Sequence, residues 1–418
     1  MSNLDMRPAP TVCGGRQDVT SRPVRELLAA KQVPLGESTL VRRLLPNLGR
    51  RMVGAWCFID HYGPDDIAQE PGMQVPPHPH MGLQTVSWLH DGEVLHRDSV
   101  GSLQTVRPGE LGLMTSGRAI AHSEESPREH ARLLHGAQLW VALPDGDRHI
   151  APMWEHHAEL PRVTGGGGLR ATVVLGELDG AASPGTTFTP LMGADIALAA
   201  GTDTRLPVRP DFEYAALTMS GEAEVDGVRL TPGSLLYLGC GRAELPLRAD
   251  VDSAFMLLGG EPFEEKIVMW WNFIGRSHDE ISQAREDWTS GSRFGEVHGY
   301  DGSPLPAPEL PRYPSSPVAA HADLRRRQRH RVAPRPPGSR RKECRTGGSG
   351  AVRGLNAVRG GSSSVRTPRR RRPGSSGRPD HPGHPGRWGG NLAAGACSAG
   401  PSTRCAGPRR RRSRRAAP

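Results

Sequence analysis

The chain has 418 residues, 36% hydrophobic and 23% charged, with a formal net charge of +9. That charge is unevenly placed: residues 314–418 hold 26 Lys and Arg against 3 Asp and Glu, whereas the first 313 hold 27 against 41. The acidic body excludes reading the whole protein as a nucleic-acid binder, and leaves the basic tail to touch nucleic acid only non-specifically, through phosphates.

Residues 1–19 read as an N-terminal arm without an apolar signal core. No later stretch approaches the roughly 18 to 20 apolar residues of a membrane span, so a soluble chain without membrane contact is expected. Six cysteines, Cys13, Cys57, Cys240, Cys344, Cys397 and Cys405, are far apart and form no C-x-x-C pair. Reduced thiols, and with them a cytoplasmic protein, follow.

Short apolar runs punctuated by Gly and Pro then succeed one another: Leu83 to Leu89, Leu111 to Met114, Leu139 to Leu143, Ala215 to Met219 and Leu235 to Leu238. Many short strands with regular turns predict an all-β sandwich or barrel. The pattern repeats within the chain. Gly92-Glu93-Val94 followed by Arg107-Pro108-Gly109-Glu110-Leu111 is echoed by Gly221-Glu222-Ala223 followed by Thr231-Pro232-Gly233-Ser234-Leu235. Two copies of one barrel are expected, 20–163 and 164–313, joined at the Gly165 to Gly168 run. The second copy closes with a short helix near 278–288, announced by Ser277 as N-cap and Glu280 three residues later. Residues 314–418, rich in Arg, Pro, Gly, Ser and Ala, cannot bury a core and are expected to be disordered. Their composition also fits a high-GC gene translated out of frame.

Pro76-Pro77-His78-Pro79-His80 opens the first long apolar run. In a strand, residues i and i+2 share a face, so both imidazoles can look into the barrel. His122 and Glu124 form a second i, i+2 pair after the Gly117 turn. Three imidazoles and one carboxylate suit one divalent first-row metal per chain, Fe(II) fitting best and Mn, Co, Ni or Zn being acceptable. The second copy supplies a control, because its matching positions are Pro207, Arg209, Pro246 and Arg248, none of them part of such a set.

These motifs together resemble the pirin family. The resemblance rests on His78-Pro79-His80 with Gly82 and Thr85-Val86, Gly92 to Ser99, Arg107 to Leu111, His122-Ser123-Glu124, His135 to Trp140, Gly260-Glu261-Pro262 and Asp279 to Ala284. It spans about residues 20–310 and implies two tandem cupin barrels, that is, double-stranded β-helix or jelly-roll barrels. It further implies Fe(II) in the first barrel on His78, His80, His122 and Glu124, with quercetin 2,3-dioxygenase activity in some members and redox-linked transcriptional co-regulation in others.

Two functions therefore compete. One is a dioxygenase acting with dioxygen on a flavonol or other catecholic substrate, Glu124 taking the substrate proton. The other is a non-catalytic iron-dependent sensor that contacts a regulatory protein. In either case a monomer is expected. Gln84, where many cupins place a carboxylate, is read as a hydrogen-bonding support for the ligands. His135 is read as a support or proton shuttle near the metal. Asp98 orients either a ligand imidazole or Arg97, the Arg97–Asp98 pair being the plainer reading. Trp88, Trp140, Trp154, Trp270 and Trp271 serve either an aromatic pocket or the core.

Overall fold

A computed structural model describes residues 7–15, 21–35 and 39–311. The arm lies partly, and the tail 314–418 wholly, outside the described residues.

The predicted apolar runs lie in strands, save for Leu143 just past the end of one: Leu83–Asp91, Leu111–Thr115, Leu133–Ala142, Glu213–Ser220 and Leu235–Gly239. In the first half, a seven-stranded sheet runs in the order Met153–His157, Leu111–Thr115, Leu83–Asp91, Leu133–Ala142, Trp56–Asp66, Thr39–Leu45, Lys31–Leu35. A four-stranded sheet of Gln74–His80, Ile120–Glu125, Val94–Asp98 and Leu103–Val106 completes the first barrel. The second half repeats the design, with an eight-stranded sheet and a four-stranded sheet.

The repeat is visible residue by residue. Gly92 and Gly221 make the same hairpin turn with φ of 86° and 68°, and Gly109 and Gly233 precede equivalent strands with φ of 82° and 80°. At Gly92 and Gly221 an added Cβ would meet a backbone oxygen at 2.8 Å and 2.3 Å, so glycine is required there.

Leu83 to Leu89 are buried throughout, without the alternation of a one-sided strand. The reason is that the large sheets of the two barrels pack on each other. Val86, Trp88, Leu139 and Val141 share one core with Val174, Leu191, Leu217, Met256 and Leu258 of the second barrel. Trp56, fully buried, anchors this seam by donating its indole N–H to the carbonyls of Met192 and Gly259 at 3.2 Å and 3.1 Å. The second barrel's own interior is apolar, filled by Leu206, Leu236, Leu245, Leu247 and Phe255. No disulfide joins Cys13, Cys57 and Cys240, which are buried.

The predicted division differs in two respects. The Gly165 to Gly168 run is the tip of a hairpin between Arg162–Thr164 and Leu169–Leu178, both in the second barrel's sheet, so the chain crosses between barrels at 158–161. The ends are also exchanged. Glu26–Leu28 adds to the second barrel's sheet beside Leu235–Gly239, and Met81, Ala119 and Ala121 of the first barrel pack with Trp270, Phe273 and Phe294. Helix His278–Thr289 sits on that patch through Ile281 and Ala284. Its N-cap is the predicted one, the Ser277 hydroxyl accepting from the Glu280 N–H at 3.2 Å.

Candidate metal centre

His78 and His80 come from Gln74–His80, and His122 and Glu124 from Ile120–Glu125, its neighbour in the four-stranded sheet. His122 lies directly opposite His78, whereas Glu124 lies opposite Val75, so the proline-bearing strand carries one extra residue there. Pro76 and Pro77 have no N–H to give a ladder, which makes this stretch a natural place for a bulge. On the other side the register is regular: His122 faces Asp98 and Glu124 faces His96.

The three imidazoles converge. One ring nitrogen from each of His78, His80 and His122 lies within 4.8 Å of the others, and the ring centroids are 4.4 to 5.0 Å apart. Glu124 stands outside that tight group, buried beside it, with Oε1 accepting from the Ser87 hydroxyl at 3.1 Å. Gln138 is 3.0 Å from the same hydroxyl.

The hydrogen bonds prepare these groups for a cation. His78 Nδ1 bonds the Pro76 carbonyl at 2.8 Å and His80 Nδ1 the Asn272 carbonyl at 3.2 Å. His122 Nδ1 lies 3.4 Å from His96 Nδ1, and His96 Nε2 lies 3.1 Å from Asp98 Oδ2. The Nε2 atoms of His78, His80 and His122 and Oε2 of Glu124 are buried without a hydrogen-bond partner. An orphaned buried polar atom costs about 1–3 kcal/mol. One divalent metal would satisfy the three Nε2 atoms, so the histidines present fit the group. Burial, reinforced for His80 and His122 by the neighbouring imidazoles, pushes all three pKa values down, His78 to about 3. They are neutral near pH 7, as ligation requires.

Among the supporting residues predicted, Asp98 reaches the centre, though through His96. Arg97 pairs instead with Glu125, which corrects the Arg97–Asp98 reading. Burial works against the Asp98 carboxylate, but hydrogen bonds from His96 and Ser102 outweigh it and hold its pKa below the ordinary range. The signal was available: on Val94–Asp98 the residues Val94, His96 and Asp98 alternate buried with half-buried neighbours, and share a face. Ser87 and Gln138 had no such signal, because they come from other strands.

Gln84 and His135 face away. Gln84 and Ser87 are three apart on a regular strand, hence on opposite faces, and Gln84 donates to Thr115 Oγ1 and to the Thr186 carbonyl. His135 belongs to a buried cluster at the seam. Its Nε2 is 3.1 Å from His61 Nε2, Arg42 donates to His61, and His90 pairs with Asp195 of the second barrel at 3.1 Å. Among the five tryptophans, Trp140 meets the ligand set, edge-on to His80 at 5.2 Å. Trp154 stacks on His96, Trp88 bonds Asp195 across the seam, and Trp270 and Trp271 pack with Phe273.

The seam cluster makes an acid-sensitive contact. Burial lowers His61 to about 2 and His135 to about 4, with Arg42 and the neighbouring imidazoles adding to the effect. For His90 burial also lowers the pKa, but Asp195 and Asp91 outweigh it and raise it. A base depressed in the folded state binds fewer protons than the unfolded chain between its folded pKa and about 6.5, so His61 and His135 make stability fall as pH falls below about 6.5. His90 acts in the opposite sense. His135→Gln is expected to flatten the slope of unfolding free energy between pH 6.5 and 5 by about 1 kcal/mol per pH unit. Urea titrations of wild type and variant at several pH values measure it; parallel slopes would refute the assignment.

Fold and histidine group define the class: two cupin barrels, the first bearing three histidines able to hold one metal. The sequence model of the family described as Pirin matches residues 38–141, and that of the Pirin C-terminal cupin domain matches 193–295. The chain belongs to the pirin family. It is 45% identical over 285 residues to a Pseudomonas aeruginosa protein provisionally named quercetin 2,3-dioxygenase, covering 68% of this chain and 90% of that one. A pirin-like protein of Caulobacter vibrioides is 42% identical over 260 residues, covering 60% and 88%. A crystal structure of quercetin 2,3-dioxygenase from Acinetobacter baumannii superposes with a TM-score of 0.67 at 41% identity, covering 69% of this chain and 96% of that one. No helix among the described residues is long and apolar enough to cross a membrane.

Proposed function

We propose that the chain is a metal-dependent dioxygenase, with Fe(II) on His78, His80, His122 and Glu124 and a flavonol or other catechol as substrate. The carrying observation is the convergence of three unpartnered buried Nε2 atoms in one barrel of the pair, with the Oε2 of Glu124, on the same strand as His122, also buried and unpartnered. The substrate class rests on the names of the Pseudomonas and Acinetobacter relatives.

What the metal supplies when bound is Lewis acidity toward a substrate hydroxyl and electron exchange with dioxygen. The chain's own residues do the rest. Ser87 holds Oε1 of Glu124, which leaves Oε2 as the atom that would bind the metal and, on briefly leaving it, would accept the substrate hydroxyl proton. Trp140, stacked on Phe58 with ring centroids 4.1 Å apart, offers a rigid aromatic wall beside His80 for a planar ring. Burial of all four groups keeps bulk water from the charges that develop there.

The test is metal content and oxygen uptake on anaerobically purified protein supplied with quercetin. About one iron per chain and substrate-dependent uptake are expected, and Glu124→Gln is expected to lower turnover by about 10²–10⁴-fold, the range of a lost general base. Iron without uptake would replace this reading with the non-catalytic sensor, and protein that takes up no metal would end both.

A further inference from the structure

We propose that His96 and Asp98 set the tautomer of His122, so that the bare Nε2 of that ring faces the metal position. This rests on the metal-binding reading above and concerns positioning.

Each of the three imidazoles must keep its single proton on Nδ1 if Nε2 is to ligate. For His78 and His80 the main chain ensures this, since the carbonyls of Pro76 and Asn272 only accept. His122 has no carbonyl at Nδ1. Its neighbour is His96 Nδ1 at 3.4 Å, a nitrogen that donates or accepts according to its own tautomer. The choice passes one residue further, to Asp98.

Asp98 Oδ1 accepts from the N–H groups of Val100 at 3.0 Å and Ser102 at 2.9 Å, which pins the carboxylate in its turn. Oδ2 is left for His96 Nε2 at 3.1 Å, and an ionised carboxylate accepts only. The His96 proton therefore sits on Nε2, its Nδ1 accepts, and the His122 proton sits on Nδ1. His122 Nε2, buried and without a partner, is the predicted end of this chain. Trp154 keeps the His96 ring in plane, stacked at 3.7 Å with 9° between planes. His96 and Asp98 are 1% and 3% exposed, so water does not compete for these bonds.

Asp98→Asn separates this role from a structural one. With its oxygen still on Val100 and Ser102, the amide would present N–H to His96 Nε2 and reverse every donor, placing a proton on His122 Nε2. In the metal-free protein, long-range ¹H–¹⁵N spectra of the imidazoles are expected to show His122 protonated at Nδ1 in wild type and at Nε2 in Asp98→Asn. Titration with Co(II) is expected to give one site in both, weakened about 10–100-fold in the variant, the usual cost of losing an outer hydrogen-bond partner. His96→Ala removes the acceptor without reversing it and is expected to weaken Co(II) less than Asp98→Asn does. His96→Gln, whose amide oxygen accepts from His122, is expected to recover most of the loss, and this pair judges the proposal if Asp98→Asn does not fold. A wild-type His122 protonated at Nε2, or Co(II) binding unchanged in Asp98→Asn, would overturn it. Wild type that binds no Co(II) but shows the expected tautomers would defeat the metal reading and leave the relay standing.

Discussion

His80→Ala is expected to abolish stoichiometric metal binding while leaving the fold intact. His80 is fully buried, its Nδ1 bonds the Asn272 carbonyl, and its Nε2 has no partner within a three-histidine group able to hold a metal. Removing an outer partner of a ligand costs about 10–100-fold in affinity, so removing the ligand should cost at least the upper figure. The apo fold should tolerate the change, because the substitution also deletes a buried imidazole whose Nε2 has no partner. Metal analysis after dialysis, with Co(II) titration monitored optically and a thermal melt of each apo protein, measures both parts. Binding within tenfold of wild type would exclude His80 as a ligand, and with it the geometry of the proposed site.

Trp56→Ala is expected to destabilise the chain by about 3–5 kcal/mol, the range for truncating a buried Trp or Phe. The indole fills the seam between the barrels and caps two carbonyls of the second one. An added Cβ at Gly193 would already touch its ring at 3.0 Å, so the neighbouring backbone has closed in on it. A denaturation midpoint well below that of wild type is expected, together with separation of the two barrels' transitions once their common core is opened. A loss under about 1 kcal/mol would mean that the seam is held elsewhere.

The two predictions differ in how far the sequence could have led to them. The i, i+2 spacing of His78 with His80, and of His122 with Glu124, is a local property, and strand geometry turns it into a shared face without further information. The repeated hairpin glycines likewise announced the second barrel, since a positive φ is needed wherever the copy recurs. Trp56 offered no such signal. It is one apolar residue among many, and only the packing of two sheets gives it its carbonyl partners from residues 192 and 259.

Gln84 and His135 show the same limit from the other side. Gln84 is a candidate because many cupins place a carboxylate at that position, and His135 because its imidazole can shuttle a proton near neutral pH. A strand within a two-barrel stack has one face toward its own interior and one toward the other barrel, and which is which depends on how the barrels pack. They fell on the seam side, where Gln84 reaches Thr186 and His135 joins the His61 cluster. By itself the sequence determined the all-β duplicated fold, the family and the convergence of three imidazoles, because period-2 patterning, turn glycines and i, i+2 spacing are encoded within a few residues. The tertiary structure alone decided the barrel crossing at 158–161, the exchange of the chain ends, the bulge opposite Glu124 and the link from His122 through His96 to Asp98. Each of these depends on which strands become neighbours, a choice made by the burial of whole faces and not by any one residue's preference.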